Sequence, residues 1–462
     1  MLQCHDQLSR NSLKSFTMYS QQTIVLTLAF VLISGGTLKT ADHGTGKAPQ
    51  HIHISYGDLP SQMIITWSTP NKTDLSSVHY GRELLHLVNV EEGSSHIFVD
   101  GGTEKRSQYI HRVDLKGLTG NTTYYYKVRS EESESGAFYF RTMPEGQDWS
   151  PRLAVFGDMG ATNAQSLPRL ELDAAKGMYD AVIHVGDFAY DLSKDNGKIG
   201  DQFMQEIQSL AASVPYMTCV GNHENSYNFS NYRARFNMPN DNGKMYYSFN
   251  MGPVHFVSIS TEFLYFPDYG FTQIYEQYDW LKKDLMEANQ PENRSKRPWI
   301  VTFGHRPMYC SNNDNDDCTS NESLVRVGVP LLRILSLEDL YYQQGVDLSI
   351  WAHEHSYERL WPVYNLKVRN GSYESPYTNP GGITHIITGS AGCSERHEYF
   401  QKNPPPWSAY HSSDYGYTRM TFANKTHLYV EQVSDDKNGE IIDSFTLIKE
   451  QHGPYGDLNN RV

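Results

Sequence analysis

The feature that most constrains this chain is an apolar run that ends abruptly on chemistry. Residues 181–190, AVIHVGDFAY, are rich in Val and Ile up to a glycine, and then present Asp187 and, three residues on, Tyr190. A short run of this kind reads as a strand of a parallel sheet buried on both faces. In such sheets ligands bind beyond the carboxyl ends of the strands, which is where Asp187 falls. The pattern recurs. RLAVFGDMG carries Asp158, PYMTCVGNHE carries Asn222 and His223, PWIVTFGHRP carries His305, and VDLSIWAHEHSYER carries His353 and His355. One apolar run ending on a donor means little, but five in succession predict a shared site.

A chain of 462 residues has room for two or three domains with real cores. Its formal net charge is -14, and no basic cluster interrupts it, which argues against nucleic acid as a partner. An anionic substrate would then need a local positive centre, and metal ions supply one.

Residues 24–33, IVLTLAFVLI, form an unbroken apolar run followed by Ser34, Gly35 and Gly36. A bilayer span needs about 20 residues, so the run is too short to cross. With small residues after it, it reads as a secretory signal within residues 1–40, cleaved between Gly36 and Ala41. N-x-[ST] sequons begin at Asn71, Asn121, Asn228, Asn293, Asn321, Asn370 and Asn424, and together they favour a glycoprotein, secreted or lysosomal. Cys310 and Cys318 flank the polar loop SNNDNDD and could close it as a disulfide, whereas Cys219 sits in an apolar run as a buried thiol.

Residues 46–145 alternate like short strands (MIITWST, HRVDLKGL, TTYYYKVRS, AFYFRTMP) and predict an all-β sandwich resembling a fibronectin type III domain. Trp67 and the 124–126 tyrosines are its expected core. A linker over 145–150 leads to residues 151–450, where strands and helices alternate. Helices are expected over 167–178, 202–212, 274–289 and 330–344. The expected architecture is α/β, two sheets packed face to face with helices outside (an αββα sandwich).

Asp158, Asp187, Asn222, His305, His353 and His355 are oxygen and nitrogen donors suited to two metals. Their order, GDxG, GDxxY, GNHE, GH and HxH, resembles that of the calcineurin-like metallophosphoesterases and, among them, of the purple acid phosphatases. The resemblance runs from about residue 50 onward, including the β domain. The superfamily's first motif is Asp-x-His, but here Met159 and Gly160 follow Asp158, so one histidine is missing. Tyr190 stands where its phenolate can take the vacant position, and a hard anionic phenolate favours ferric iron.

The resemblance implies that Asp158, Tyr190 and His355 bind the ferric ion. Asn222, His305 and His353 would bind a divalent metal, zinc ahead of iron or manganese, with Asp187 bridging. Three side-chain charges and a hydroxide against five metal charges leave the centre positive by about one, which suits a phosphate ester. The implied reaction is in-line hydrolysis of a phosphate monoester by a metal-activated hydroxide. His223 would face the substrate as transition-state stabiliser and leaving-group acid, with Glu224 holding it. Arg306 and Tyr309 are candidates for substrate contact or for packing behind the ligands. Plant members carry substrate-side histidines in the loop after the fourth motif, where this chain has SNNDNDD. Two other readings compete: a phosphodiesterase or pyrophosphatase of nucleotides on the same core, and a non-catalytic binding glycoprotein built on the β domain. Rates on nitrophenyl phosphate and its bis ester separate the first pair, and metal content excludes the third.

Overall fold

A computed structural model describes residues 46–458, apart from 132, 242, 321, 330–333 and 396. The proposed signal, the sequon at Asn321 and the start of the helix expected over 330–344 lie outside the described residues.

The amino-terminal region is two antiparallel sheets. One is ordered Gln50–Tyr56, Met63–Thr69, Ser107–Leu115, Ser94–Val99; the other is built on Ser77–Gly81 and Thr123–Ser130. Thr123–Ser130 alternates exposed or half-buried with buried side chains along its length, as a strand with one face on a core must. Trp67 is buried in that core, stacked on His111 with its Nε1 donating to Ser130 Oγ at 2.9 Å. Two core tyrosines also reach into the second region. Tyr126 Oη donates to the Ala212 carbonyl and Tyr56 Oη to the Asp180 carbonyl, both at 2.7 Å. A continuous buried cluster runs from one region into the other.

The second region has a six-stranded sheet, in the order Tyr216–Cys219, Ala181–Val185, Arg152–Phe156, Gly416–Phe422, His427–Ser434, Glu440–Ile448. A seven-stranded sheet faces it, with Val254–Ser258, Trp299–Phe303, Leu348–Trp351 and Thr384–Thr388 running parallel at its centre. The sandwich follows from period-2 patterning in runs that look uniformly apolar. Trp299, Val301 and Phe303 join the cluster between the sheets, while Ile300 joins the one under the outer helices. Phe422, from the first sheet, meets Phe256 and Trp299 of the second edge-on at ring distances of 5.7 and 5.9 Å. Helix Thr272–Ala288 covers the outer face of the second sheet with Leu281 and Leu285.

The helix expected over 202–212 is divided at Ile207 into Lys198–Glu206 and Gln208–Ala211. Only Leu337–Gln344 of the 330–344 prediction is described as helix. No helix among the described residues is long and apolar enough to cross a membrane. The five donor-bearing runs divide between the sheets, three in the first and two in the second, and their carboxyl ends converge.

Candidate metal centre

Each donor follows the last residue of its strand or lies in the turn beyond it: Asp158 after Arg152–Phe156, Asp187 and Tyr190 after Ala181–Val185, Asn222 after Tyr216–Cys219. On the second sheet His305 follows Trp299–Phe303, and His353 and His355 follow Leu348–Trp351. The turns are tight enough to force unusual backbone. Asp158, Asp187, Tyr190 and His353 have φ of 57°, 53°, 51° and 71°, in the left-handed region that ordinary side chains avoid. Such strain persists only where surrounding packing over-determines it, and it concentrates at functional sites. Two glycines make the approach possible. A Cβ on Gly186, at φ +82°, would lie 2.6 Å from His305 Nδ1, and one on Gly221 would lie 2.2 Å from Asp187 Oδ1. The glycine of the GD and GN motifs is therefore a spacing requirement.

The donors form two adjoining groups. In the first, Tyr190 Oη lies 3.1 Å from Asp158 Oδ1 and 2.9 Å from His355 Nε2. In the second, His305 Nε2 lies 3.1 Å from Asn222 Oδ1, 3.2 Å from Asp187 Oδ2 and 3.2 Å from His353 Nδ1. Donor atoms of Asp187, His305 and His353 all fall within 4.8 Å of one another. The groups are tied together by the His353 backbone N–H, which donates to Asp158 Oδ2 at 3.0 Å.

Burial sets the electrostatics. It pushes the Asp158 carboxyl up to about 7, against the opposing pull of His305 and then His355. Asp187 is buried too, but the charge of His305 and their hydrogen bond hold it well below the usual carboxylate range. Burial lowers His305, yet the Asp187 and Asp158 charges hold it at about 10. Burial, then the charges of Asp158 and Asp187, push the Tyr190 phenol far up. A phenolate forms in that place only against a strongly Lewis-acidic cation.

The side chains around the donors fix their orientation. His305 Nδ1 points at the Val185 carbonyl at 2.8 Å, leaving Nε2 for the site. His353 presents Nδ1 inward, while its Nε2 is held by Asp316 Oδ2 at 2.6 Å and met by Arg306 Nη1 at 2.8 Å. Behind His355, Cys393 Sγ lies 3.3 Å from Nδ1. Arg306 is anchored by Glu262 at 3.1 Å and packs over the Tyr265 ring. Tyr309 is buried and bonded to Glu338, away from the donors.

His223 sits at the rim, its side chain about one-fifth exposed (22%). The expectation that Glu224 holds it is corrected by the geometry. Glu224 is buried, and its oxygens accept the backbone N–H groups of Asp187 at 2.9 Å, Phe188 at 3.1 Å and Gly221 at 2.9 Å. The short helical turn Asn222–Glu224 sends adjacent side chains in different directions, so Glu224 locks the backbone of two donor loops. The partner of His223 is Asp191, whose Oδ1 lies 2.7 Å from Nδ1. Burial lowers the imidazole, but the Asp191 hydrogen bond and then the Asp187 charge outweigh it and hold His223 at about 9. Asp191, Asp316 and Cys393 went unnoticed as site residues in the sequence. Only Asp316 left a trace, as part of the loop between Cys310 and Cys318. Those cysteines form the disulfide, and Cys219 is a buried free thiol.

Two facing sheets whose strand ends converge on carboxylates, an amide and imidazoles define a calcineurin-like phosphoesterase, and residues 151–357 match that family. Residues 49–142 match the purple acid phosphatase N-terminal domain, and residues 382–444 match the iron/zinc purple acid phosphatase-like protein C family. Acid phosphatase type 7 of Danio rerio is 53% identical over 421 residues, spanning 90% of this chain and 94% of that protein. The Homo sapiens protein of that name is 52% identical over 407 residues, spanning 88% and 92%. A solved purple acid phosphatase, PPD1 from yellow lupin, shares the fold at a TM-score of 0.73 and 24% identity, covering 87% of this chain and 74% of that one. This chain belongs to the purple acid phosphatase family.

The family's iron/zinc pair fits the residues present. A phenol between a carboxylate and an imidazole suits a trivalent iron, and the convergent amide, carboxylate and imidazole donors suit zinc.

Proposed function

We propose that this chain is an exported acid phosphatase with a binuclear iron–zinc centre, hydrolysing small phosphate monoesters. Asp158, Tyr190 and His355 would hold the iron; Asn222, His305 and His353 would hold the divalent metal; Asp187 would bridge them. When bound, the two ions supply Lewis acidity and lower the pKa of water enough to make a nucleophile. The rest falls to the chain's own side chains. The buried walls exclude bulk water around the donors, strengthening every charge interaction within. His305 and His353 keep fixed orientations because their outer nitrogens are occupied by Val185 and Asp316. His223 at the opening is held cationic by Asp191, and it is placed to bind a phosphoryl oxygen and then give its proton to the departing alkoxide.

The observation that carries this reading is the juxtaposition of the two donor groups, joined through His353 N–H and Asp158, beneath a histidine held cationic. Metal analysis of the purified protein with paired assays on nitrophenyl phosphate and its bis ester tests it. One iron and one zinc per chain with preference for the monoester are expected. A chain that retains neither metal, or that favours the diester, overturns it.

Export rests on the apolar run at 24–33 with small residues after it, and on the sequons. The disulfide between Cys310 and Cys318 is consistent with an oxidising compartment. Glycosidase digestion of the protein recovered from medium and lysosomes tests this; an unglycosylated chain confined to the cytosol contradicts it. The net charge of -14 leaves nucleic acid out of the proposed partners.

A further inference from the structure

Between His353 and His355 the chain carries Glu354, whose side chain turns away from the donors and towards the disulfide-closed loop. It is wholly buried at 0% exposure; its Oε2 meets no N–H or hydroxyl donor, and the carboxyls of Glu398 and Asp314 lie against it. Its Oε1 lies 2.9 Å from Cys318 Sγ, which is bonded to Cys310 and has no proton to give. A buried carboxylate without a donor is among the costliest features a fold can carry. What faces it makes matters worse. Oxygen atoms of Asp314, Asp316 and Glu354 all lie within 4.8 Å of one another. Asp316 is partly neutralised by Arg306 at 3.4 Å, but among the described residues no ion pair reaches Asp314 or Glu354.

We propose that Asp314, Asp316 and Glu354 bind a calcium ion, a third cation site beside the binuclear centre. Calcium is the ion that the donors select. All are carboxylate oxygens, with none of the imidazole or thiolate character that zinc prefers. Oxygens on one calcium ion lie about 2.3–2.6 Å from it, hence no more than about 5 Å apart, and this cluster meets that limit. Calcium takes six to eight oxygens in flexible geometry, and the exposure of Asp314 leaves one side open for water. The ion would compensate Glu354 and fix the loop that carries Asp316. The site takes none of the residues assigned to iron or zinc as ligands, although Asp316 also holds His353 Nε2 at 2.6 Å.

The test is equilibrium dialysis of the full chain, with its two transition metals in place, against radioactive calcium near pH 7, paired with thermal unfolding. We expect one calcium per chain and a rise in the unfolding midpoint on adding calcium. Asp314→Asn should weaken the affinity at least tenfold and abolish the rise, while Glu292→Gln, an exposed acid elsewhere, should change neither. Glu354→Gln should bind no calcium and unfold at a higher temperature than wild type in chelator, since it removes the buried charge. The competing arrangement is a proton shared between the carboxyls. In that case calcium neither binds nor raises the midpoint, and the proposal fails. Calcium bound equally by wild type and Glu354→Gln overturns it as well.

Discussion

The Tyr190 hydroxyl meets Asp158 and His355, and the phenol is pushed up by burial and neighbouring carboxylates. Tyr190→Phe keeps the ring and removes only the oxygen. In the iron-loaded oxidised protein it should abolish the visible phenolate-to-iron absorption and lower iron content per chain, with an unchanged circular dichroism spectrum. A band that survives the substitution places the phenolate elsewhere. Asp191 acts through His223. Asp191→Asn removes a charge-assisted hydrogen bond worth about 1.5–3 kcal/mol, so the alkaline limb of kcat should move to lower pH by about one unit or more. A shift confined to KM would mean that His223 only binds. The seven proposed metal ligands were legible in the sequence because each sits where a strand ends, a position that pattern alone fixes. Asp191 and Asp316 were not, because their contacts depend on how a loop turns after Tyr190 or between two cysteines. Glu224 was misread for the same reason: adjacency to His223 in sequence suggested contact, and the helical turn points the two apart.

The element that joins chemistry to stability is the loop from Cys310 to Cys318. Its disulfide spans a sequence separation of 8 with Cα atoms 5.4 Å apart, and Asp316 inside it grips His353. In the loop-entropy account, closing a loop of this size stabilises the fold by roughly 2–3 kcal/mol. The double substitution of Cys310 and Cys318 to Ser should lower the unfolding free energy extrapolated from urea titration by about that amount. It should also raise KM or lower kcat, because the carboxylate that orients His353 is released. Stability loss without any kinetic change would show that the loop holds its shape through other contacts. At this scale most strands were readable from their own residues. The strands Gly416–Phe422 and Glu440–Ile448 were not predicted, although the first pairs directly with Arg152–Phe156. Mixed polar and apolar side chains obscure the pattern in both, and Arg152–Phe156, one partner of Gly416–Phe422, lies hundreds of residues away. The split at Ile207 also escaped notice, since helical spacing continues across it.

Over the whole molecule, acid works against the fold through buried histidines that are not among the proposed metal ligands. His51, His53, His111, His184 and His385 are all buried and lowered, chiefly by burial, to about 3, 4, 4, 3 and 3. A group whose folded pKa lies below its unfolded value of about 6.5 is neutral in the fold while the unfolded chain takes up a proton. Stability is therefore full above about 6.5 and falls as pH drops from there towards the folded value. Glu358 opposes this: burial raises it to about 7, so its penalty is greatest above that and fades as pH falls towards 4.5. The buried carboxyls of Asp158, Glu224 and Glu354 are raised as well and act as Glu358 does, but the five histidines outnumber the four carboxyls, so the net slope below pH 6.5 should still be downward. One residue isolates the effect. His385 Nδ1 accepts a hydrogen bond from Trp351 Nε1 at 3.0 Å, and an asparagine oxygen can accept the same bond without ever titrating. At pH 5 a single such histidine costs about 2 kcal/mol relative to neutral pH, 1.5 units at about 1.36 kcal/mol each. His385→Asn should lower stability at pH 7.5 by leaving part of the ring's volume unfilled. Its unfolding free energy should nevertheless fall less steeply than wild type between pH 6.5 and 4.5, the two curves converging as the solution is acidified. Parallel curves from urea titrations across that window would mean that His385 takes up its proton within the fold.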